Sequence, residues 1–272
     1  MKNNLNSWII NLNKMEKAYL VTHYTDLEKD FSIYDRFYIW DSFCEHNLFY
    51  FIENISFINK IIKIGKSITL TTPILSEKWI KKLFIFIEKY QLIKWFEIVV
   101  NDYWVFYKIK KEFPFIKIIW WNFLSWQNKD PYLKVFSKKE VHKNISIDSD
   151  FYKNLFKKNN INSIELYNVF QWINIRQDYS LYLQYPFVVY SITRYCSSNL
   201  IKNNINYPTI VEKCSWCEKN IIDILELKLD LGWEKVNNYY IWNKQFYKNN
   251  NLEQNPQVKR IIYNYDLLKN DW

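Results

Sequence analysis

The sequence predicts an α/β fold, a (β/α) barrel of the TIM type that is either complete or missing part of its ring, with an irregular C-terminal segment. From Phe37 onward, short β-branched and aromatic runs alternate with longer stretches in which apolar residues recur every three or four positions. The short runs are almost continuously apolar, as in strands covered on both faces. Repeated strand–helix units within 272 residues favour a closed parallel barrel over an open doubly wound sheet.

The predicted units follow one another along the chain. Strand RFYI precedes helix EHNLFYFIENISFINKIIK, SITLTT precedes SEKWIKKLFIFIEKY, and FEIVV precedes VFYKIKKEF. Further strands are predicted in FIKIIW, SIELYNV and LYLQYPFVVYSI. A GxGxxG loop is absent from the sequence, which argues against a Rossmann-type nucleotide site.

The segment from about residue 202 has a less regular pattern. It contains CSWC, a predicted helix EKNIIDILELKLD, a hairpin or strand around YYIWNKQFY and a strand-like VKRIIYNY. No linker in it is long enough to separate two domains. We therefore predict a single domain over residues 1–272.

The charge and hydropathy of the chain limit its location and partners. The formal net charge is +9, and lysine supplies most of it because arginine occurs only four times. This excess reflects either the coding bias of an A+T-rich gene or a basic face for an anionic partner. No run of about 18 apolar residues is present, and the first residues lack the features of a signal peptide. We expect a cytoplasmic protein with no membrane span.

Four cysteines make up the whole cysteine content: Cys44, Cys196, Cys214 and Cys217. One follows an early strand, one follows a late strand, and two form a CxxC pair. Two thiolates at that spacing can bind the same metal ion or cluster, and a cytoplasmic setting argues against structural disulfides. Four thiolates fit either a [4Fe-4S] cluster or a zinc ion. A free cysteine often serves only as a small buried apolar residue, and this is the alternative interpretation of Cys44.

Eight motifs between about Phe37 and Asn264 resemble, in order, those of the collagenase-like (U32) peptidase family: YIWDSFC, ITLTTPIL, VNDYWVF, IIWWNFLSWQNKDP, IELYNVFQWINI, ITRYCSSN, YIWNKQFYKN and VKRIIYN. The first resembles the family's turn of an apolar residue, Gly, Asp or Glu, two further residues and Cys. The chain length and the single cysteine after TR are most similar to the short, UbiV-type members. These lack the extra domain of the RNA-modifying members.

The resemblance implies a function and a ligand set. It implies a [4Fe-4S] cluster held by the four cysteines and a part in oxygen-independent hydroxylation of a quinone precursor or similar aromatic molecule, with prephenate as hydroxyl donor. It also implies a heteromeric, UbiU-like partner from the same family. The CxxC pair departs from the relatives, which tend to have one more residue between these cysteines. This departure indicates either an altered cluster geometry or a slip of one residue in the comparison.

Two other functions are also compatible with the sequence. The family name points to a peptidase, but the sequence has no HExxH or GxSxG motif and no evident pair of nucleophile and base. An RNA-modifying or RNA-binding role is consistent with the excess lysine and the many aromatic residues. The absence of an evident extra RNA-binding region counts against it.

Five polar residues near predicted strand ends are candidates for substrate contact or for orienting the cysteines: Asp41, Asn101, Asp102, Glu165 and Arg194. The carboxyl ends of barrel strands carry the functional groups in such folds. Asp and Asn are equally suited to helix caps and turns. Arg194 fits an anionic substrate, a charge beside the cluster, or a surface ion pair.

Tryptophan stands where the family's motifs have glycine: at Trp40, Trp104, Trp120 or Trp121, Trp172 and Trp242. The chain has 13 tryptophans and two glycines. Glycine suits tight corners because it tolerates positive φ and lets backbones approach closely. We hypothesise that the gene uses UGA as a glycine codon and that this sequence translates UGA as tryptophan. The alternative is a core rich in genuine tryptophan.

Overall fold

The computed structural model describes residues 15–21, 32–39, 44–45, 55–93, 95–121, 124, 127–130, 145–171, 173, 175–192, 225–230, 235–241, 244–252 and 255–264. Eight parallel strands form a closed barrel in the order β1-β12-β7-β6-β5-β4-β3-β2. They are β1 (Glu16–Val21), β2 (Arg36–Ile39), β3 (Ser67–Thr71), β4 (Glu97–Val100), β5 (Lys117–Trp121), β6 (Ser163–Tyr167), β7 (Ser180–Tyr185) and β12 (Val258–Tyr263). The prediction of a TIM-type barrel is confirmed, and the ring is complete.

The last strand closes this ring. Strand β12 lies between β7 and β1, where Val258 pairs with Leu181 and Arg260 pairs with Glu16. Strand β1, EKAYLV, lies before the region of the predicted repeats. Only its last four residues are apolar.

Four helices are described outside the strands: α1 (Ile55–Lys63), α2 (Glu77–Tyr90), α3 (Tyr103–Glu112) and α4 (Asp150–Asn159). The first three confirm the predicted helices where the structure describes them. In α2, Ile80, Leu83 and Ile87 are buried at spacings of three and four, as an amphipathic helix requires. Helix α4 was not predicted, because it buries only Tyr152 and Phe156 completely and is otherwise rich in lysine and asparagine.

A second sheet is inserted between β7 and β12. It is antiparallel, in the order β8-β11-β10-β9, and consists of β8 (Phe187–Ile192), β9 (Leu225–Asp230), β10 (Lys235–Ile241) and β11 (Lys244–Lys248). The predicted strand LYLQYPFVVYSI is therefore two strands that separate at Pro186, which lacks the N–H group for a continuous ladder.

The C-terminal prediction is corrected in part. The described tail consists of regular strands, and its hairpin is confirmed by the pairing of Tyr240 with Gln245 and Ile241 with Lys244. The predicted helix is wrong over 225–230, where the sequence LELKLD forms β9. Leucine alternates with charged residues there, and this period of two is typical of a strand.

Two asparagines attach the second sheet to the carboxyl edge of the barrel. Asn264, after β12, accepts a hydrogen bond from the Phe187 N–H (3.0 Å) and donates one to the Phe187 carbonyl (2.9 Å). Asn249, after β11, donates to the carbonyls of Asn168 (2.9 Å) and Val169 (3.0 Å), which follow β6. The sheet is therefore anchored at the ends of β6, β7 and β12.

No helix in the described ranges combines the length and the apolar character that crossing a membrane requires.

Candidate functional site

The lumen of the barrel is polar at its amino end. Because side chains alternate along a strand, every second residue faces inward. Five charged side chains near the amino ends of their strands form a connected network, which we call the lumen floor: Glu16, Arg36, Glu97, Lys117 and Arg260. These residues come from β1, β2, β4, β5 and β12, so the floor joins strands from all sides of the ring.

The two glutamates of the lumen floor bridge its cations. Glu16 receives Arg36 on one oxygen and Arg260 on the other, both at 2.6 Å. Glu97 contacts Arg260, and it lies 3.2 Å from the Lys117 ammonium and 3.3 Å from Arg36. Burial acts to raise the pKa of Glu97, but Arg260, Arg36 and Lys117 outweigh it and lower the pKa below its ordinary value. Glu97 is therefore a carboxylate in the folded protein.

Glu165 lies in the middle of β6, level with the last residue of β5, and has a different environment. It is fully buried, and its Oε1 accepts a hydrogen bond of 2.6 Å from the amide of Gln184 on β7. Burial raises the pKa of Glu165 to about 8, while Gln184, Arg260 and the Trp121 indole act in the opposite direction. Glu165 is therefore a neutral carboxylic acid at pH 7, unlike Glu97.

Aromatic rings lie on the mouth side of Glu165, where the mouth is the carboxyl end of the barrel strands. Trp121 pairs with Glu165 in the β5–β6 register, and its ring centroid is 6.2 Å from that of Tyr167. The Gln127 side chain holds the Tyr167 backbone by accepting from its N–H (2.9 Å) and donating to its carbonyl (2.8 Å). The segment after β5 is thereby fixed beside the end of β6.

Lys129 also lies beside Tyr167, at the end of β6. Its ammonium is 5.3 Å from the centroid of the Tyr167 ring, and burial lowers the pKa of Lys129 to about 8. A lysine and a glutamate with pKa values displaced toward neutrality, joined through one aromatic cluster, are typical of functional sites.

Asn101 and Asp102 follow β4 at the mouth and have separate environments. Asn101 is buried, and its amide donates to the Thr72 carbonyl after β3. Asp102 caps α3, because its Oδ1 accepts from the backbone N–H groups of Trp104 (2.6 Å) and Val105 (3.4 Å). The structure thus brings Asn101 and Glu165 to the lumen, whereas Asp102 binds the start of a helix.

Cys44 is the one predicted cysteine ligand among the described residues. It is half-buried against the core, and the next residue, Glu45, accepts a 2.8 Å hydrogen bond from the Ser76 N–H in the loop after β3. Cys44 therefore lies on the mouth side of the barrel. Within the described residues, no group of three His, Cys, Asp or Glu side chains is placed to hold a metal ion. The other predicted site residues lie outside the described residues: Asp41, Arg194, Cys196, Cys214 and Cys217.

The described tryptophans occupy contrasting environments. Trp120 is buried against aromatic rings of α3 and α4, including Phe106 (5.3 Å) and Phe156 (5.2 Å). Trp121 faces the lumen, and Trp104 is 60% exposed in the first turn of α3. Trp95, which no motif singled out, has a φ of 70° and is 63% exposed. Three of the predicted glycine positions lie outside the described residues: Trp40, Trp172 and Trp242.

The residues predicted from sequence do not include the lumen floor, Gln184 or Lys129. A usable signal was present for the floor, because RFYI and FEIVV each carry one charge, and VKRIIY carries two, in otherwise apolar strands. Such a charge at an inward position requires a buried partner. Lys129 lies in the NKDP stretch of a recognised motif, but its displaced pKa depends on burial that the stretch does not reveal.

Comparison with known proteins gives a match in overall structure. No family model matches this sequence, and no curated protein matches it. A solved structure, that of the U32 peptidase Mk0906, aligns with this chain. The alignment covers 92% of each of the two chains, with a TM-score of 0.47 and 9% sequence identity.

Proposed function

We propose that the chain is an iron–sulfur protein that takes part in oxygen-independent hydroxylation of a small aromatic molecule, such as a quinone precursor. The cluster is a [4Fe-4S] centre held by Cys44, Cys196, Cys214 and Cys217. Prephenate is the hydroxyl donor, and a second protein of the same family completes the active complex. The observation that carries this proposal is the position of Cys44 on the mouth side of a closed barrel, at the same end as Asn101, which follows β4.

The donor set fits a [4Fe-4S] cluster. Four thiolates satisfy its four iron sites, and the CxxC pair supplies two of them from one short segment. When bound, such a cluster supplies one-electron transfer at a potential set by the surrounding polarity and hydrogen bonds. The chain's own part is to enclose the substrate at the mouth, where Glu165 holds a proton in a buried setting.

The test is anaerobic purification of the wild type and of Cys44→Ser and Cys214→Ser, followed by absorption spectra and iron and sulfide analysis. We expect about four iron atoms per wild-type chain and a loss of most iron in both variants. Glu45→Gln is the matched control, because it changes the neighbour of Cys44 without removing a thiolate, and it should retain iron. A colourless protein with bound zinc, or iron content unchanged by both serine variants, would overturn the proposal.

Two further measurements separate the other functions. Cleavage of casein or collagen by the iron-free protein would favour a peptidase. Salt-dependent retention of RNA would favour an RNA-modifying protein, because phosphate contacts weaken as salt rises. Neither result is expected for the hydroxylation protein.

We also propose that several of these tryptophans, Trp95 and Trp104 among them but not the lumen-facing Trp121, are glycine in the native protein, because the gene reads UGA as glycine. Trp95 supports this, since a φ of 70° is a conformation that glycine adopts freely and that tryptophan rarely adopts. Its side chain is 63% exposed. Mass spectrometry of the protein from its native host tests the proposal. Peptides with glycine at positions 95 and 104 are expected, and tryptophan at both would refute the recoding.

A further inference from the structure

Three of the buried polar atoms near the mouth that lack a hydrogen-bond partner, in the part of the chain that the structure describes, belong to side chains that face the lumen. They are Oγ1 of Thr71 at the end of β3, Oδ1 of Asn101 after β4, and Oε2 of Glu165 on β6. An unpaired buried polar atom costs about 1–3 kcal/mol, and native proteins contain few of them. Atoms of this kind at the functional end of a barrel are what a bound polar molecule would pair with.

The partner required by each atom follows from its chemistry. Oδ1 of Asn101 is an acceptor, because the Asn101 amide already donates to the Thr72 carbonyl. Oε1 of Glu165 is occupied by Gln184, and the Trp121 indole also lies close to the carboxyl, so the proton of the neutral carboxyl stands on Oε2 as a donor that no described residue accepts. The site therefore asks for a ligand with one acceptor oxygen and one donor group, either N–H or O–H.

Aromatic rings define the rest of the site. Trp121 is the inward residue of β5 and is paired with Glu165, and Tyr167 is two residues further along β6 on the same face. Their ring centroids are 6.2 Å apart at an interplanar angle of 60°. Rings in this arrangement favour contact with a planar ring, through stacking and edge contacts.

We propose that the mouth binds an aromatic carboxamide, or another planar ring compound that carries a carbonyl oxygen beside an N–H group. The Glu165 carboxyl donates to the carbonyl oxygen, and the Asn101 amide oxygen accepts from the N–H group. The rings of Trp121 and Tyr167 contact the ring of the ligand. This inference rests on the proposed function in placing an aromatic ligand at the mouth beside Glu165, but it uses none of the cysteines. Absence of benzamide binding with the iron retained would overturn this inference alone, and absence of iron with benzamide still bound would overturn the cluster alone.

The protonation of Glu165 makes binding pH-dependent. Among the described residues, the charged or titratable groups that face it from the surrounding strands are Arg260, Glu97, Tyr38, Lys117, Tyr182 and, at the mouth, Tyr167 with Lys129. Of these, Lys129 alone has a pKa displaced to about 8, the same region as that of Glu165. An experiment must therefore separate these two residues.

Benzamide is a suitable probe, because it carries both required groups and stays neutral across the range used. Calorimetric titration of the full chain should show affinity falling about tenfold as pH rises from about 7 to about 9, as Glu165 loses its proton. Glu165→Gln keeps a donor group, so it should bind benzamide without this pH dependence. Glu165→Met lacks the donor and should bind weakly at every pH.

Two controls make the outcome decisive. Lys129→Met should keep the fall in affinity with pH, and Glu112→Gln, on the exposed face of α3, should behave as the wild type. If Glu165→Met fails to fold, the pH series of the wild type and Glu165→Gln still decides. Wild-type affinity that is constant with pH, no benzamide binding at any pH, or a pH dependence that Lys129→Met abolishes would overturn the proposal.

Discussion

Arg260 on β12 forms an ion pair with Glu97 on β4, 163 residues earlier in the sequence and on the opposite side of the ring. The Arg260 guanidinium also donates to Glu16 (2.6 Å) and to the Tyr38 hydroxyl (2.7 Å), and it lies 3.8 Å from the centroid of the Tyr182 ring. One side chain thus links β12 to β1, β2, β4 and β7. Arginine is scarce in this chain, yet two of its four arginines are in the lumen floor, where a forked cation can serve several acceptors.

We expect Glu97→Gln to lower the free energy of unfolding by about 3–5 kcal/mol, because it leaves three buried or half-buried cations without their shared carboxylate. Chemical unfolding at neutral pH measures this. Since the pKa of Glu97 is lowered by folding, its contribution is present above the unfolded-state pKa and is lost as pH falls through the folded-state pKa. The matched control is Glu77→Gln, in an exposed pair with Lys81, which should change stability by less than about 0.5 kcal/mol. Equal effects of the two variants would contradict a structural role for the floor.

Glu165→Gln should change the pH profile of stability in the opposite sense. The folded protein retains the Glu165 proton up to about pH 8, whereas the unfolded chain loses it near the ordinary value of 4.5. Wild-type stability from this group is therefore fully present at acid pH and falls as pH rises between these values. We expect the variant to gain about 3–5 kcal/mol relative to wild type between acid pH and about pH 9. Thermal or urea unfolding at several pH values provides the measurement, and parallel profiles would refute a neutral Glu165.

Trp95→Gly should stabilise the protein, or at least leave its stability unchanged. A non-glycine residue in the left-handed region costs about 1–2 kcal/mol, and the Trp95 ring is 63% exposed. The Trp95 carbonyl, which accepts from Arg36 at 3.0 Å, is retained in the variant. Trp104→Gly is the comparison, since glycine within α3 should cost about 1 kcal/mol. If Trp95→Gly lowers the free energy of unfolding by more than about 1 kcal/mol, the packing of the Trp95 ring stabilises the fold and the prediction is wrong.

Asn264→Ala should loosen the attachment of the second sheet to the barrel. Both backbone groups of Phe187 lose their hydrogen bond to the Asn264 side chain, and each lost hydrogen bond costs about 0.5–1.5 kcal/mol. We expect faster hydrogen exchange at the Phe187 amide and a lower unfolding free energy. Asn159→Ala, which removes a single hydrogen bond on half-buried α4, should have a smaller effect on stability and none on Phe187 exchange. Unchanged protection of Phe187 in Asn264→Ala would contradict the anchoring role.

The barrel was predictable because its signal is local. Apolar runs such as FEIVV and amphipathic stretches such as SEKWIKKLFIFIEKY set the element type through spacing alone, and their alternation implies parallel strands. Helix α4 and strand β9 were not predicted from these local patterns. The first has few apolar residues to mark its buried face, and the second was assigned to a neighbouring helical pattern although its own period is two.

The candidate site, like the fold, was predictable from the sequence only in part. The sequence by itself determined the cysteine content, the CxxC spacing and the polar residues that follow strands, including Asn101 and Glu165. Only the tertiary structure decided that Glu97 is charged and Glu165 neutral, because the two glutamates differ in what closure of the ring places beside them: three cations in one case, an amide and aromatic rings in the other. A protonation state depends on burial and on neighbours distant in the chain, and local residue patterns do not contain that information.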